Sequence, residues 1–301
     1  MIAVDWGTSS FRAYRLDAAG AVLEQRRAAL GLLALQGRFE PMLAQQLAGW
    51  DDELILMAGM IGSRNGWCEV PYVACPAGLD EIAAGLLAVT AASLRGRRVF
   101  IAPGLSHRPE AGAPEVMRGE ETQLLGLLGE LPGAGPHTVC LPGTHSKWAT
   151  VGAGRIGGFH TAMTGELYAV LKQHSLLGAL MDPEAGAASA EDAPAFELGV
   201  RTSADAGGLL VHLFSVRTRG LFGELSAAQL PSYLSGLLIG HELQGLLGGA
   251  QHVHLIGSEA LVQRYRRALA LRHVNVQVHG EALVARGLLQ LAVAARLTEG
   301  S

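Results

Sequence analysis

The sequence predicts an α/β protein of two domains, each a mixed sheet flanked by helices, with a cleft between the domains. Three observations carry this reading. The chain has 301 residues, 49% hydrophobic and 17% charged, enough for two dry cores. The order strand-strand-strand-helix-strand-helix-strand-helix is read over the first half and again over the second. Each pass also opens on a short apolar strand that runs into a turn of glycine and hydroxyl residues.

In the first pass, residues 2–4 form a buried strand, 5–10 a tight turn, 11–16 the returning strand and 21–24 a third strand. Residues 38–49 read as a helix, 54–58 as a buried strand, 77–94 as an Ala/Leu helix, 99–102 as a fifth strand and 119–129 as a helix. The Gly/Pro-rich stretch 131–136 has linker composition, so the domains are placed at 1–134 and 135–301. The second pass reads as strands 139–141, 148–151 and 156–160, helices 166–180 and 232–247, strand 253–256, helix 259–271, strand 274–278 and helix 281–296. That last helix is expected to pack back onto the first domain. Residues 182–194, rich in Ala, Glu and Pro without periodicity, read as a surface loop. Hairpins followed by β-α units imply mixed rather than parallel sheets, as in a pair of duplicated ribonuclease-H-like domains.

A net charge of -4 argues against a nucleic-acid or anionic-membrane surface, which would need a basic stripe. An anionic substrate must therefore meet local positive charge. The opening Met-Ile-Ala-Val-Asp5 has no basic region before its apolar run, so no secretory signal is expected, and no apolar run reaches the ~18 residues of a membrane span. Cys68, Cys75 and Cys140 form no C-x-x-C pair and fit reduced, structural thiols in a cytoplasmic protein. His252-x-His254 would put two imidazoles on one strand face, but no third ligand stands at metal spacing.

Three constellations carry chemistry. In Asp5-x-Gly7-Thr8-Ser9-Ser10-x-Arg12, glycine lets the backbone approach a ligand, successive amides can form an anion-binding concavity, and hydroxyls add donors. A carboxylate at its mouth makes sense if a Mg²⁺, held mostly through waters, stands between Asp5 and phosphate. An ordinary hairpin turn with a capping aspartate is the plain alternative. Pro142-Gly143-Thr144-His145-Ser146-Lys147 is the counterpart in the second pass. Two such turns could hold a polyphosphate from both sides. Of 23 basic residues only Lys147 and Lys172 are lysine, and a compact ammonium in this turn suits a point contact to phosphate. The third constellation, Arg118-Gly119-Glu120-Glu121, opens a helix. The glutamates could simply complement the helix dipole, whereas Arg118 could grip a substrate carboxylate and one glutamate could act as a base.

These motifs resemble those of carbohydrate kinases of the actin/hexokinase-like superfamily. Asp5–Ala13 looks like their first phosphate motif and Leu141–Trp148 like their second. Residues 118–126 are similar to the segment with the catalytic carboxylate, usually aspartate there and glutamate here. Ile256-Gly257-Ser258 and Gly280–Gly287 resemble adenosine-side elements. Whole phrases narrow the resemblance to the 2-dehydro-3-deoxygalactonokinase family: 57–63, Gly66-Trp67, 117–125, 142–148, 163–167, 174–176 and 234–240. Arg64-Asn65 departs from that pattern.

The resemblance implies ATP and 2-dehydro-3-deoxy-D-galactonate as substrates, Mg²⁺ as cofactor and the 6-phosphate as product. It implies Asp5, Glu120 and Lys147 as catalytic residues, with Asp5 on the metal and Glu121 as the rival base. Gly7, Thr8, Ser9, Ser10, Arg12, Gly143, Thr144, Gly257 and Ser258 would face the nucleotide. Gly62, Ser63, Arg118, Glu121, Thr164, Gly165 and Glu166 would face the sugar acid. No nucleic-acid or membrane partner is expected, and a homodimer is left open. Two rivals share the fold. A non-catalytic sugar sensor would be expected to carry a DNA-binding segment, and none precedes strand one. A phosphoanhydride hydrolase would use water in place of the sugar.

Overall fold

The computed structural model describes residues 1–35, 37–182 and 192–298. The chain divides into two compact units: Met1–His137, Ala149–Phe159 and Gly280–Ser301 form unit 1, and Thr138–Trp148 and His160–His279 form unit 2. The division expected at 134/135 is a single cut, whereas the chain passes from unit 1 to unit 2 at 137/138 and then re-enters unit 1 twice.

In chain order the strands and helices of the first half are β1 (Ile2–Trp6), β2 (Phe11–Leu16), β3 (Val22–Ala28), α1 (Phe39–Gln46), β4 (Leu54–Gly59), β5 (Val73–Ala74), β6 (Ala77–Gly78), α2 (Leu79–Ala84), β7 (Leu87–Val89), β8 (Arg98–Ile101), β9 (Leu105–His107), β10 (Glu115–Met117) and α3 (Glu120–Leu128). The second half continues with β11 (His137–Leu141), β12 (Ser146–Gly152), β13 (Arg155–Ala162), α4 (Thr164–His174), α5 (Ala193–Thr202), α6 (Gly208–Leu221), α7 (Leu230–Leu246), β14 (His252–Ile256), α8 (Glu259–Ala270), β15 (Asn275–His279) and α9 (Leu283–Ala294).

The main sheet of unit 1 has the order β3-β2-β1-β4-β8-β7. β1 is antiparallel to β2 and parallel to β4, and β4 is parallel to β8, so hairpins and β-α units meet in one mixed sheet. Because β1 is central, it is apolar on both faces: Ile2, Ala3, Val4 and Trp6 are all fully buried. Trp6 meets Phe11 and Phe39 edge-on, at 5.0 and 6.2 Å, and its indole N–H donates to the Leu30 carbonyl at 2.8 Å. A small sheet, β10-β9-β5, completes the unit's strands alongside the antiparallel pairing of β6 with β13 through Ala77 and Ile156. Helix α9 packs on α3 as the sequence leads one to expect. The backbones touch where a Cβ on Gly126 would lie 2.2 Å from the Leu283 carbonyl oxygen and one on Gly287 would lie 1.9 Å from that of Thr122.

In unit 2, β14 is parallel to both β11 and β15, repeating the parallel half of the first sheet. Helices α5 and α7 cross closely at Gly199 and Gly236. Phe196, Trp148, Tyr265 and Cys140 fill one core, and Val216, Leu230, Tyr233 and Leu237 another.

The expected α/β class with mixed sheets is the observed one, but several elements differ, among them β12, which begins at Ser146 and so takes Ser146 and Lys147 out of the expected turn. The predicted helix 77–94 is broken into β6, α2 and β7. Glu81 caps α2 by accepting from the Gly78 N–H at 2.9 Å, Gly85 ends it, and Leu87–Val89 pairs antiparallel with β8. Tertiary pairing has overridden helix propensity there. The helix expected over 166–180 is α4, ending at His174 with the Ser175 hydroxyl donating back to Leu171 at 2.6 Å. Helices α5 and α6 were not anticipated. α6 exposes Leu210, Val211, Phe214 and Leu221, so it is apolar on more than one face and shows no clean amphipathic period. Of the loop expected at 182–194, residues 183–191 lie outside the described residues, and Ala193 and Pro194 begin α5. No helix among the described residues is long and apolar enough to cross a membrane.

Candidate active site

The first turn of unit 1 follows from the β1–β2 register. Asp5 ends β1 opposite Arg12 of β2, and the chain reverses between them with the Gly7 N–H donating to the Ser10 carbonyl at 2.9 Å. Thr8 and Ser9 are exposed at its tip, while Gly7 and Ser10 are half-buried. Arg12 reaches Asp5 at 3.5 Å and Glu281 at 3.6 Å, and Arg27, beside Arg12 on β3, reaches the other Glu281 oxygen at 3.5 Å. Burial pushes the Asp5 carboxyl up to about 6; Arg12 opposes this, and the charges of Glu120 and Glu281 add to it. The segment compared above with adenosine-side elements thus supplies Glu281 to the first turn and Gly287 to a helix crossing, both in unit 1.

The start of α3 comes to the same place. Gly119 has φ of 109°, and a Cβ there would lie 3.1 Å from the Gly59 Cα, so the sharp entry to the helix needs glycine. Both glutamates turn back on the chain: Glu120 accepts from the Arg118 N–H at 3.0 Å and Glu121 from the Gly119 N–H at 2.7 Å. They then diverge. Glu120 is partly exposed, whereas Glu121 is fully buried, and burial, with the Glu120 charge, pushes its carboxyl up to about 8 against the backbone N–H groups and Arg118. The second Glu121 oxygen has no hydrogen-bond partner.

Arg118 is 8% exposed. One of its terminal nitrogens donates to the Val70 carbonyl at 2.7 Å, and the guanidinium lies 4.4 Å above the Tyr72 ring. Its Nε and Nη1 have no hydrogen-bond partner, and neither has the Ser63 hydroxyl. Gly62 lies against this arginine, since a Cβ there would stand 3.0 Å from Nη1. The loop from Met60 to Val70 is curled on itself, the Val70 N–H donating to the Gly62 carbonyl at 2.9 Å. Arg64, the departure noted in the sequence, is exposed and pairs with Glu69 at 3.4 Å, and Asn65 is exposed.

The second turn lies in unit 2 and is built differently. Thr144 and His145 are exposed, but Ser146 and Lys147 are buried, with the Lys147 ammonium donating to the His145 carbonyl at 3.1 Å. The start of α4 is fastened to it. The Glu166 N–H donates to the Thr144 carbonyl at 3.0 Å, the Glu166 carboxylate meets His145, and a Cβ on Gly165 would lie 2.5 Å from the Gly143 carbonyl oxygen. Thr164 donates to Glu242 of α7, which also accepts from the Trp148 indole and the Tyr265 hydroxyl, each at 2.7 Å. Gly257 is close enough to the turn that its Cβ would lie 3.5 Å from the Pro142 carbonyl oxygen, and Ser258 stands exposed at the N-cap of α8. Within this unit, Gly143, Thr144, Lys147, Thr164, Gly165, Glu166 and Gly257 therefore come together.

The sequence reading did not single out Glu242, Tyr265 or Tyr72. A signal existed for the first: Glu242 is the one carboxylate in the otherwise apolar α7. Elsewhere, His254 and His279 share a hydrogen bond of 2.9 Å, and among the described residues no group of three or more His, Cys, Asp or Glu could hold a metal ion. Burial pushes the Cys75 thiol up to about 11 and holds that of Cys140 well above the ordinary thiol value, which suits inert structural thiols.

Comparison with known proteins identifies the family. Residues 5–291 match the family model described as 2-keto-3-deoxy-galactonokinase. The chain is 36% identical over 300 residues to the 2-dehydro-3-deoxygalactonokinase of Escherichia coli (strain K12), covering 97% of each. It is 41% identical over 294 residues to a Rhizobium meliloti (strain 1021) protein assigned the same activity, covering 95% of this chain and 94% of that one. A Sinorhizobium meliloti crystal structure described as a candidate 2-dehydro-3-deoxygalactonokinase superposes with a TM-score of 0.85 at 39% identity, over 100% of this chain and 97% of that one. The activator of 2-hydroxyisocaproyl-CoA dehydratase from Clostridium difficile, at a TM-score of 0.55 and 14% identity over 100% and 97% of the two chains, shares the fold alone. The chain belongs to the 2-keto-3-deoxy-galactonokinase family.

Proposed function

We propose that the protein transfers the γ-phosphoryl group of ATP to the 6-hydroxyl of 2-dehydro-3-deoxy-D-galactonate in the cytoplasm. The observation that carries this reading is Arg118. A buried guanidinium with two N–H-bearing nitrogens left without partners is costly unless an anion completes it, and a sugar-acid carboxylate is such an anion. It sits one residue from the glycine that opens α3, so the acid would be held where Glu120 can meet its far hydroxyl. Gly62 leaves the space beside Nη1, and Ser63 offers a hydroxyl.

In this reading Glu120 accepts the proton as the substrate oxygen bonds to the γ-phosphorus and the bond from that phosphorus to the leaving ADP oxygen breaks. Glu121 is unsuited to the role. Its carboxyl, pushed up to about 8, is protonated at neutral pH and fully buried. Thr8, Ser9, Ser10 and the amides after Gly7 would receive phosphate, as would Gly143, Thr144 and Lys147, with Gly257 and Ser258 toward the nucleoside. Arg12 adds a cation to the first turn. Thr164, Gly165 and Glu166 are fastened around the second turn, and in this reading they shape it rather than meet the sugar.

The residues present fit Mg²⁺. Asp5 is a carboxylate raised by burial, and further by the charges of Glu120 and Glu281 against that of Arg12, an environment that a cation would relieve. With no cluster of three ligands among the described residues, Asp5 would hold the ion with water and phosphate oxygens. Bound there, Mg²⁺ would neutralise charge on the transferring phosphoryl group. The chain's own part is alignment and the exclusion of water.

A panel of 2-keto-3-deoxy sugar acids and neutral sugars, assayed by ADP release, tests the reading. Release should require an acid, and Arg118→Ala should raise KM for the acid roughly 10- to 100-fold with KM for ATP little changed. Equal use of neutral sugars, or ADP release without any sugar, would overturn it.

A further inference from the structure

Glu242 is 6% exposed, and no step above uses it. One of its oxygens accepts from the Trp148 indole N–H, and the other from the Tyr265 and Thr164 hydroxyls. Tyr265 has a single proton, which goes to Glu242, so in the 2.8 Å contact between the Tyr265 and Ser146 hydroxyls Ser146 is the donor. A carboxylate taken out of water is strongly unfavourable unless donors surround it, and here Trp148, Tyr265 and Thr164 do so, with the Ser146 hydroxyl also contributing. Burial raises its carboxyl, and these hydrogen bonds oppose the rise.

The donors have a pattern. Ser146 and Trp148 flank Lys147 on β12, and alternation along a strand puts the two on one face and Lys147 on the other. Holding 146 and 148 from one side therefore fixes where the Lys147 stem leaves the backbone. Thr164 begins α4, and two residues later the Glu166 N–H holds the Thr144 carbonyl. The network thus grips the second turn at both ends, through β12 at residues 146–148 and through α4 at residue 144, with α7 and α8 as the frame.

We infer that Glu242 is a positioning residue, which fixes the second turn in the shape that receives a nucleotide's phosphates. The inference rests on the kinase reading for the identity of that ligand. A competing account is that the network only stabilises unit 2.

The test uses the whole protein, with MgADP binding followed by calorimetry and the melting temperature recorded for each variant. Tyr265→Phe removes one donor to Glu242 and the hydroxyl that Ser146 meets, while Trp148 and Thr164 still satisfy Glu242, so the fold should survive. Its ADP dissociation constant should rise about tenfold, the loss of one hydrogen bond to a charged group, with KM for the sugar acid unchanged. Val216→Ala, at a fully buried position of α6, serves as the stability control and should leave ADP binding as it was. If Tyr265→Phe binds ADP as wild type does, or if both variants weaken binding alike, the positioning role falls. If the wild-type protein binds no ADP at all, it is the kinase reading that falls.

Discussion

The two turns make an instructive pair. Each follows the first strand of its pass, yet the first is surrounded by charge and the second by neutral hydrogen bonds. Around Asp5 stand Arg12, Arg27, Glu120 and Glu281, the ion pairs are long, and the carboxyls of Asp5 and Glu121 are pushed up to about 6 and about 8. Around the second turn a single buried carboxylate, Glu242, is fully occupied by Trp148, Tyr265 and Thr164. On the proposed reading unit 1 would gain from a cation and an anion, and the network of unit 2 would act through geometry. Perturbing each should therefore move different quantities.

The largest expected effect is in unit 1. Glu120→Gln keeps size and removes proton acceptance, so kcat should fall about 10²–10⁴-fold with both substrates still bound. Glu121→Gln should remain far more active, because that carboxyl is already neutral at the working pH. Steady-state kinetics on the pair decides the matter. A dead Glu121→Gln beside an active Glu120→Gln would exchange their roles.

In unit 2, Lys147→Ala should lower kcat/KM for ATP roughly 10- to 100-fold through a lost charge-assisted contact, and leave KM for the sugar acid in place. An unchanged ATP dependence would return Lys147 to a structural part in its turn.

The smallest effect is thermodynamic. The Glu121 carboxyl is raised in the folded protein, so between the ordinary glutamate value of 4.5 and about 8 the native state holds a proton that the unfolded chain has lost. Stability therefore falls as pH rises through that window, and Asp5 adds a loss of the same sign between 3.8 and about 6. Glu121→Gln removes the larger contribution. Its melting temperature should exceed wild type by a few degrees at pH 9 and show no such advantage at pH 5. A constant difference across pH would mean that Glu121 does not titrate in this way.

Much of this was legible in the sequence because strands and turns announce themselves locally. The apolar run ending at Asp5, the Gly/hydroxyl turns and the lysine in an arginine-rich chain needed no tertiary information. What stayed hidden depends on distant partners. Glu121 reads like Glu120 until burial separates them, and Glu281 meets Arg12 across most of the chain's length. Residues 77–94 look helical by composition, yet Leu87–Val89 is claimed by β8. Glu242 was visible as a lone carboxylate in an apolar helix, although its donors come from β12, α4 and α8.

The central claim is that the protein transfers phosphoryl from ATP to a sugar acid. Wild-type protein incubated with ATP, Mg²⁺ and 2-dehydro-3-deoxy-D-galactonate, followed by ³¹P NMR and mass spectrometry of the sugar product, tests it most directly. The account expects a phosphate monoester on the 6-oxygen, absent when ATP, Mg²⁺ or the acid is left out. Free phosphate in place of the ester, from a protein that is folded and binds ATP, would contradict it.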